Sequence, residues 1–281
     1  MPHESMSSIT KPPRVYDSAH KGTPQIDELR ELLAYRNLVV QLVRRDVTTR
    51  YKRSVLGIAW TMLNPLGTTL ILTIVFSQVF DLGKQYAAFA LCGLVLWNFF
   101  SQSTNAAIVN LVWGGDLLKR IYIPRTIFAV SSIGTALVNL GIALIPLFII
   151  MIFTGVNLKL TLLLIPLPIL FLAMFALGVG LLVSSIAVFY ADVAEMYQVI
   201  LLAWLYLTPI IYPITIIPEN LRWIIQLNPM YYFVTLFRIV VLDGRVPSLT
   251  ELLVTAAIGS VSLLVGWLVF TNKADEFAYR I

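Results

Sequence analysis

The chain has 281 residues, of which 58% are apolar and 12% charged, with a formal net charge of +5. Soluble domains carry about 25% charged residues, so this composition excludes a water-soluble globule and predicts an all-α, integral membrane chain. The basic residues flank apolar runs, where they meet anionic headgroups rather than nucleic acid. Two histidines and one cysteine supply neither a metal centre nor a disulfide framework.

Residues 1–26 are polar, with Pro12, Pro13 and Pro24, and read as a cytoplasmic arm lacking the apolar core of a signal peptide. From 27 to 43 the pattern changes. Leu29, Leu32, Leu33, Val39, Val40 and Val43 fall on one side of a helical wheel. Arg30, Glu31, Asn37, Gln41, Arg44 and Arg45 fall on the other. This is an amphipathic helix, too charged to span, lying at the membrane interface. Arg36 interrupts the apolar stripe, so either it snorkels or the helix bends there. With the basic collar Arg44, Arg45, Arg50, Lys52 and Arg53, the interfacial unit covers 27–55. It leads into an uncharged run over 54–80, the pattern of a chain entering a bilayer from the cytoplasmic side.

Six spans are predicted, over 56–80, 86–112, 127–153, 160–189, 199–211 and 252–270. They make a membrane domain of 56–271, followed by a tail over 272–281. Between the fifth and sixth spans, Pro209, Pro213, Pro218 and Pro229 interrupt a stretch still rich in Ile, Trp and Tyr. Short re-entrant helices dipping into the outer half of the membrane fit that pattern. With both termini cytoplasmic, 15 of the 20 Lys and Arg residues fall inside and five outside, which satisfies the positive-inside rule.

No phosphate-cradling G-x-x-x-x-G-K-[ST] loop is present, so ATP is not bound here in that way. Asp46, Asp116, Asp192 and Glu195 all lie at predicted cytoplasmic edges. The lack of ionisable groups at membrane depth weighs against a secondary carrier or channel. The lack of clustered carboxylates weighs against a metal-dependent enzyme acting on lipid-linked sugars. What remains is a pathway whose energy comes from elsewhere.

Three polar and aromatic stripes mark candidate path-lining faces. Trp60, Asn64 and Thr68 are spaced by four; Trp97, Ser101 and Thr104 share a face; so do Tyr197, Trp204 and Thr208. Aromatic faces stack on sugar rings, while hydroxyls and amides bond sugar hydroxyls. The alternative is an interfacial aromatic belt or helix packing. The loop over 113–125 mixes Leu117, Leu118, Ile121 and Tyr122 with Asp116, Lys119, Arg120 and Arg125. It reads either as a basic turn or as a short docking helix stopped by Pro124.

The run RRDVTTRYKRSVLGIAWTMLNPL at 44–66 resembles the leading motif of ABC-2 type permeases that export polysaccharides such as O-antigen, teichoic acid and related cell-wall glycans. LLKRIYIPR at 117–125, FYAD at 189–192, TPIIYP at 208–213, LNPMYYFVTLFR at 227–238 and FAYRI at 277–281 also match. One departure is Ala191 in FYAD, where the family commonly has Arg before the Asp. The resemblance implies a homodimer of six-span subunits in a bacterial or archaeal cytoplasmic membrane. It implies two separate ATPase subunits, which bind ATP and magnesium and dock under 113–125 and 190–197, the latter carrying Asp192 and Glu195. The implied cargo is a lipid-linked polysaccharide threaded through the dimer. A drug or small-molecule exporter of the same superfamily is the nearest alternative, against which the aromatic stripes and the 44–66 motif weigh.

Overall fold

The computed structural model describes residues 24–52, 56–80, 82–112, 124–190 and 192–277. Among these residues all regular structure is helical. In chain order the helices are α1 Pro24–Ala34, α2 Arg36–Tyr51, α3 Ala59–Phe76, α4 Tyr86–Val112 and α5 Thr126–Phe153. They continue with α6 Pro166–Ala187, α7 Val193–Leu207, α8 Arg222–Gln226, α9 Pro229–Arg238 and α10 Leu249–Phe277.

The interfacial unit is two helices. Tyr35, at φ −93 and ψ 17, leaves the helical path, and Arg36 opens α2. The break between the two helices therefore falls where Arg36 interrupts the apolar stripe. α2 continues to Tyr51, so Arg44, Arg45 and Arg50 are helical residues. Its Leu42 is buried against Ile127, with Leu32, Leu38 and Val39 packed around the pair. Glu28 of α1 accepts hydrogen bonds from Thr126 N at 3.3 Å and Thr126 Oγ1 at 2.8 Å. A carboxylate there satisfies an orphan N–H and faces the positive end of the α5 dipole. Gln25 Nε2 donates to Asn272 Oδ1 at 2.7 Å, so α1 also ties down the end of α10.

Among the described residues four helices are long and apolar enough to cross a membrane, α3, α5, α6 with its leading turn, and α10, or five if the bent pair 219–226 and 229–243 is one span. This is fewer than the six spans expected. α4 has 27 residues, ample length, but it carries Asn98, Gln102, Asn105 and Asn110. α7 has 15 residues, and ~1.5 Å per residue leaves it short of a ~30 Å hydrocarbon core. In the proline-punctuated region, 219–226 and 229–243 form one helical pair bent by 96°.

α6 and α10 pack most closely. A Cβ on Gly178 would run into Ser262 and Leu263 backbone, and one on Gly266 into Gly178 backbone. Small residues let two backbones approach where lipid offers no hydrophobic gain for association. The core beside them is aromatic. Phe100 stacks on Phe175 at 5.4 Å between ring centroids, and Trp204 meets Phe100 edge-on at 5.2 Å. α3 lies at the periphery, with Leu70, Ile71 and Ile74 exposed.

A candidate polar path between α3, α4 and α5

α4 presents two different faces, one residue apart. The first carries Trp97, Phe100 and Thr104 into the core. Trp97 meets Trp204 at 6.4 Å, edge to face. Tyr197 donates its hydroxyl proton to Thr104 Oγ1 at 2.8 Å. Trp204 Nε1 donates to Asn228 Oδ1 at 2.7 Å, and Asn228 Nδ2 donates to Thr208 Oγ1 at 2.8 Å. The stripes of α4 and α7, expected around one open path, thus pack on each other. Trp97, Tyr197 and Thr208 are buried, and Ser101 and Trp204 are half-buried. The physical reason is that large rings at facing positions exclude lipid best when they interlock, with each polar tip bonded.

The second face of α4 carries Asn98 and Gln102, four residues apart. These amides line a cavity of about 200 Å³ with Arg50, Trp60, Asn64 and Asn139. An adjoining cavity of about 180 Å³ shares Arg50, Gln102 and Asn139 and adds Asp46, Asn110, Ser132 and Thr135. Together they form a groove from the α2 end into the bundle, walled by α3, α4 and α5. Asn110 Nδ2 donates to Ser132 Oγ at 2.9 Å across the α4–α5 seam. Thr135 Oγ1 is buried and has no hydrogen-bond partner among the described residues. Buried polar atoms are normally partnered, so an unpartnered hydroxyl beside a polar cavity marks capacity for a ligand or water.

Of the expected path residues, Trp60 and Asn64 line this groove, and Trp60 is 56% exposed. Thr68 is exposed one turn further along α3. Asn98, Gln102 and Asn139 escaped the sequence reading, although amides inside otherwise apolar helices were the available signal.

The charged groups sit at the groove mouth. Arg50 Nη1 reaches Gln102 Oε1 at 3.5 Å, the outer limit of a hydrogen bond. Arg45 pairs with Asp46 at 2.8 Å, an exposed pair worth about 0–1 kcal/mol. Arg44 and Lys52 are exposed. Arg125 precedes α5 at its cap position, and the exposed Asp192 and Glu195 begin α7. Arg53, Asp116, Leu117, Leu118, Lys119, Arg120 and Tyr122 lie outside the described residues. Among the described residues no group of His, Cys, Asp and Glu could hold a metal ion.

The groove sets amides and hydroxyls beside Trp60, with apolar Val95, Phe99, Leu140 and Ala143 in the same lining, and its charged lining residues are Asp46 and Arg50. Comparison with known proteins gives it a family. The chain is 29% identical over 256 residues to the O-antigen export system permease protein RfbA of Myxococcus xanthus, covering 90% of this chain and 98% of that one. It is 25% identical over 245 residues to the protein of the same name from Klebsiella pneumoniae, covering 86% and 94%. The capsule polysaccharide export inner-membrane protein CtrC of Neisseria meningitidis serogroup A is 24% identical over 215 residues, covering 75% and 81%. The family described as ABC-2 type transporter matches residues 37–242, from the start of α2 to the end of the bent helical pair. With that match spanning most of its length, the chain belongs to the ABC-2 type transporter family.

Proposed function

We propose that this chain is the permease subunit of an ATP-driven exporter that moves a lipid-linked polysaccharide across the cytoplasmic membrane. The observation that carries the reading is the amide-lined groove, with Asn64, Asn98, Gln102 and Asn139 beside Trp60. Sugar hydroxyls each donate and accept, as amides do, and an aromatic face covers the apolar side of a sugar ring. The printed names of the relatives, O-antigen and capsule polysaccharide export, agree with that chemistry. A carrier driven by an ion gradient is disfavoured, since the ionisable groups lining the groove are Asp46 and Arg50 at its mouth.

Two copies form the working unit, with grooves and the exposed faces of α3 turned to a shared path. Two ATPase subunits dock against 113–125 and the start of α7, supplying ATP chemistry that this chain lacks. α4 and α7 complete the six spans, and the pair 219–243 enters and leaves the outer half of the membrane. The end carrying α1 and α2 is cytoplasmic. In a Cys92→Ala background, Asn272→Cys should label only from the cytoplasm and Leu158→Cys only from outside. External labelling of position 272 overturns this orientation.

The function is tested in a strain lacking the chain. Surface polysaccharide should be lost and restored by the wild-type copy. Asn98→Leu and Gln102→Leu each remove hydrogen bonds of about 0.5–1.5 kcal/mol. Each should therefore lower export about two- to tenfold with the transporter still assembled. A deletion strain with unchanged surface polysaccharide ends this reading.

A further inference from the structure

The end of the bundle opposite α1 and α2 holds another polar cavity, of about 360 Å³. It lies where α4 begins and where the turn after α5 meets the π-helical segment Ile239–Asp243. Gln85, Phe89, Asn157, Lys159 and Asp243 line it. Two of these are held rigidly. Lys159 Nζ donates to the main-chain oxygen of Asp243 at 2.9 Å. Its stem crosses Gly244, whose φ is +61 and where a Cβ would overlap the lysine chain. Only glycine meets both demands, a left-handed backbone and an empty side. Phe89 is fixed by Arg238, whose guanidinium lies 3.6 Å from the ring centroid and bonds the Phe89 carbonyl at 3.1 Å.

The remaining polar groups are available. Among the described residues the Gln85 and Asn157 amides and the Asp243 carboxylate make no side-chain hydrogen bond. The cavity thus offers an ammonium with spare donors, a carboxylate, two amides and an aromatic ring backed by the Arg238 guanidinium. An anion would meet Asp243, and a cation would meet Lys159. Vicinal hydroxyls suit the set, since each can donate to the carboxylate and accept from the ammonium or an amide. A zwitterionic lipid headgroup also balances the charges. The exposed Phe153, Leu158 and Leu160 beside it would meet the lipid's chains, so the mass of a cross-linked adduct separates a headgroup from a sugar chain.

We infer that this cavity is a sugar-binding subsite, gripping residues of the polymer as it leaves the membrane domain. The inference rests on the export reading above and adds a second contact point beyond the groove. It is tested in cells carrying the complete transporter, with Asn157→Cys in a Cys92→Ala background and a benzophenone maleimide attached. Leu163→Cys, exposed on the turn before α6, is the control. Illumination should give a polysaccharide-bearing ladder at position 157 and none at 163. Asp243→Asn should cut the yield about fivefold, the loss of a charge-assisted hydrogen bond, at unchanged chain level. A discrete adduct of one phospholipid mass at 157 would make the cavity a headgroup site and overturn the inference. So would the absence of any adduct at 157 in cells that export normally. If export continues in a strain lacking the chain, it is the export reading that fails.

Discussion

Arg238→Leu is expected to destabilise the folded chain by several kcal/mol. The guanidinium reaches three main-chain oxygens: Pro209 O at 2.6 Å, Ile210 O at 2.8 Å and Phe89 O at 3.1 Å. It also covers the Phe89 ring. Two of these acceptors need it. α7 ends at Leu207 and Thr208 is extended, so the Pro209 and Ile210 carbonyls have no helical partner. Leaving a buried acceptor unsatisfied costs about 1–3 kcal/mol, and more where no water can replace the donor. Two such losses come to about 2–6 kcal/mol, a large part of the stability of an ordinary domain, while the Phe89 carbonyl keeps its own helical donor inside α4. Gly93 is shaped to this clamp, since a Cβ there would lie 3.0 Å from Arg238 Nη2. Arg238→Lys should rescue only partly, because a single ammonium cannot fork to carbonyls on two elements. Heating detergent-solubilised protein and following the monodisperse fraction measures the effect. A midpoint for Arg238→Leu equal to wild type would mean the carbonyls find other donors.

Asn228→Ala should come second, with a loss of about 2–4 kcal/mol spread over several lost hydrogen bonds. The Asn228 side chain accepts from Trp204 Nε1 at 2.7 Å and Met230 N at 3.0 Å. It donates to Thr208 Oγ1 at 2.8 Å and Leu207 O at 3.2 Å. One amide thus caps α9, closes the end of α7 and anchors a core tryptophan. Asn228→Asp should not rescue it: the acceptors survive, but a carboxylate then faces the Leu207 carbonyl. The readouts are the thermal midpoint and Trp204 fluorescence in a background where the other tryptophans are phenylalanine. Unchanged emission and midpoint in Asn228→Ala would show that the network is incidental.

Helix positions were partly legible because apolar runs end at charged turns. The expected 86–112 matches α4, and 127–153 begins one residue inside α5, whereas the expected 199–211 starts six residues late and runs past the end of α7 at Leu207, because Asp192 and Glu195 open the helix rather than sit in a turn. The helix break at Tyr35 was legible too, since Arg36 spoils a stripe that one continuous helix would keep. Partners were not. Helical periodicity says which residues share a face, not what that face meets. Trp97 and Trp204 therefore looked like path lining, whereas they meet each other. Asn98 lies one position from Trp97 and points about 100° away, which is enough to reach a different neighbour. Arg238 bonds a carbonyl 149 residues away, for which no local pattern exists. Asn228 before Pro229 does carry a local helix-start signal, but its bond to Trp204 depends on the 96° bend that brings α9 back to α7.

The most direct test is translocation by the purified permease and its ATPase in proteoliposomes, read as ATP-dependent movement of lipid-linked polysaccharide to the far leaflet. The groove reading predicts that wild type translocates and that Gln102→Leu slows this several-fold while the ATPase stays bound. Trp97→Phe, a change confined to the packed seam between α4 and α7, should leave the rate near wild type. Normal translocation by Gln102→Leu together with loss in a folded Trp97→Phe would place the path along the aromatic seam and contradict the account.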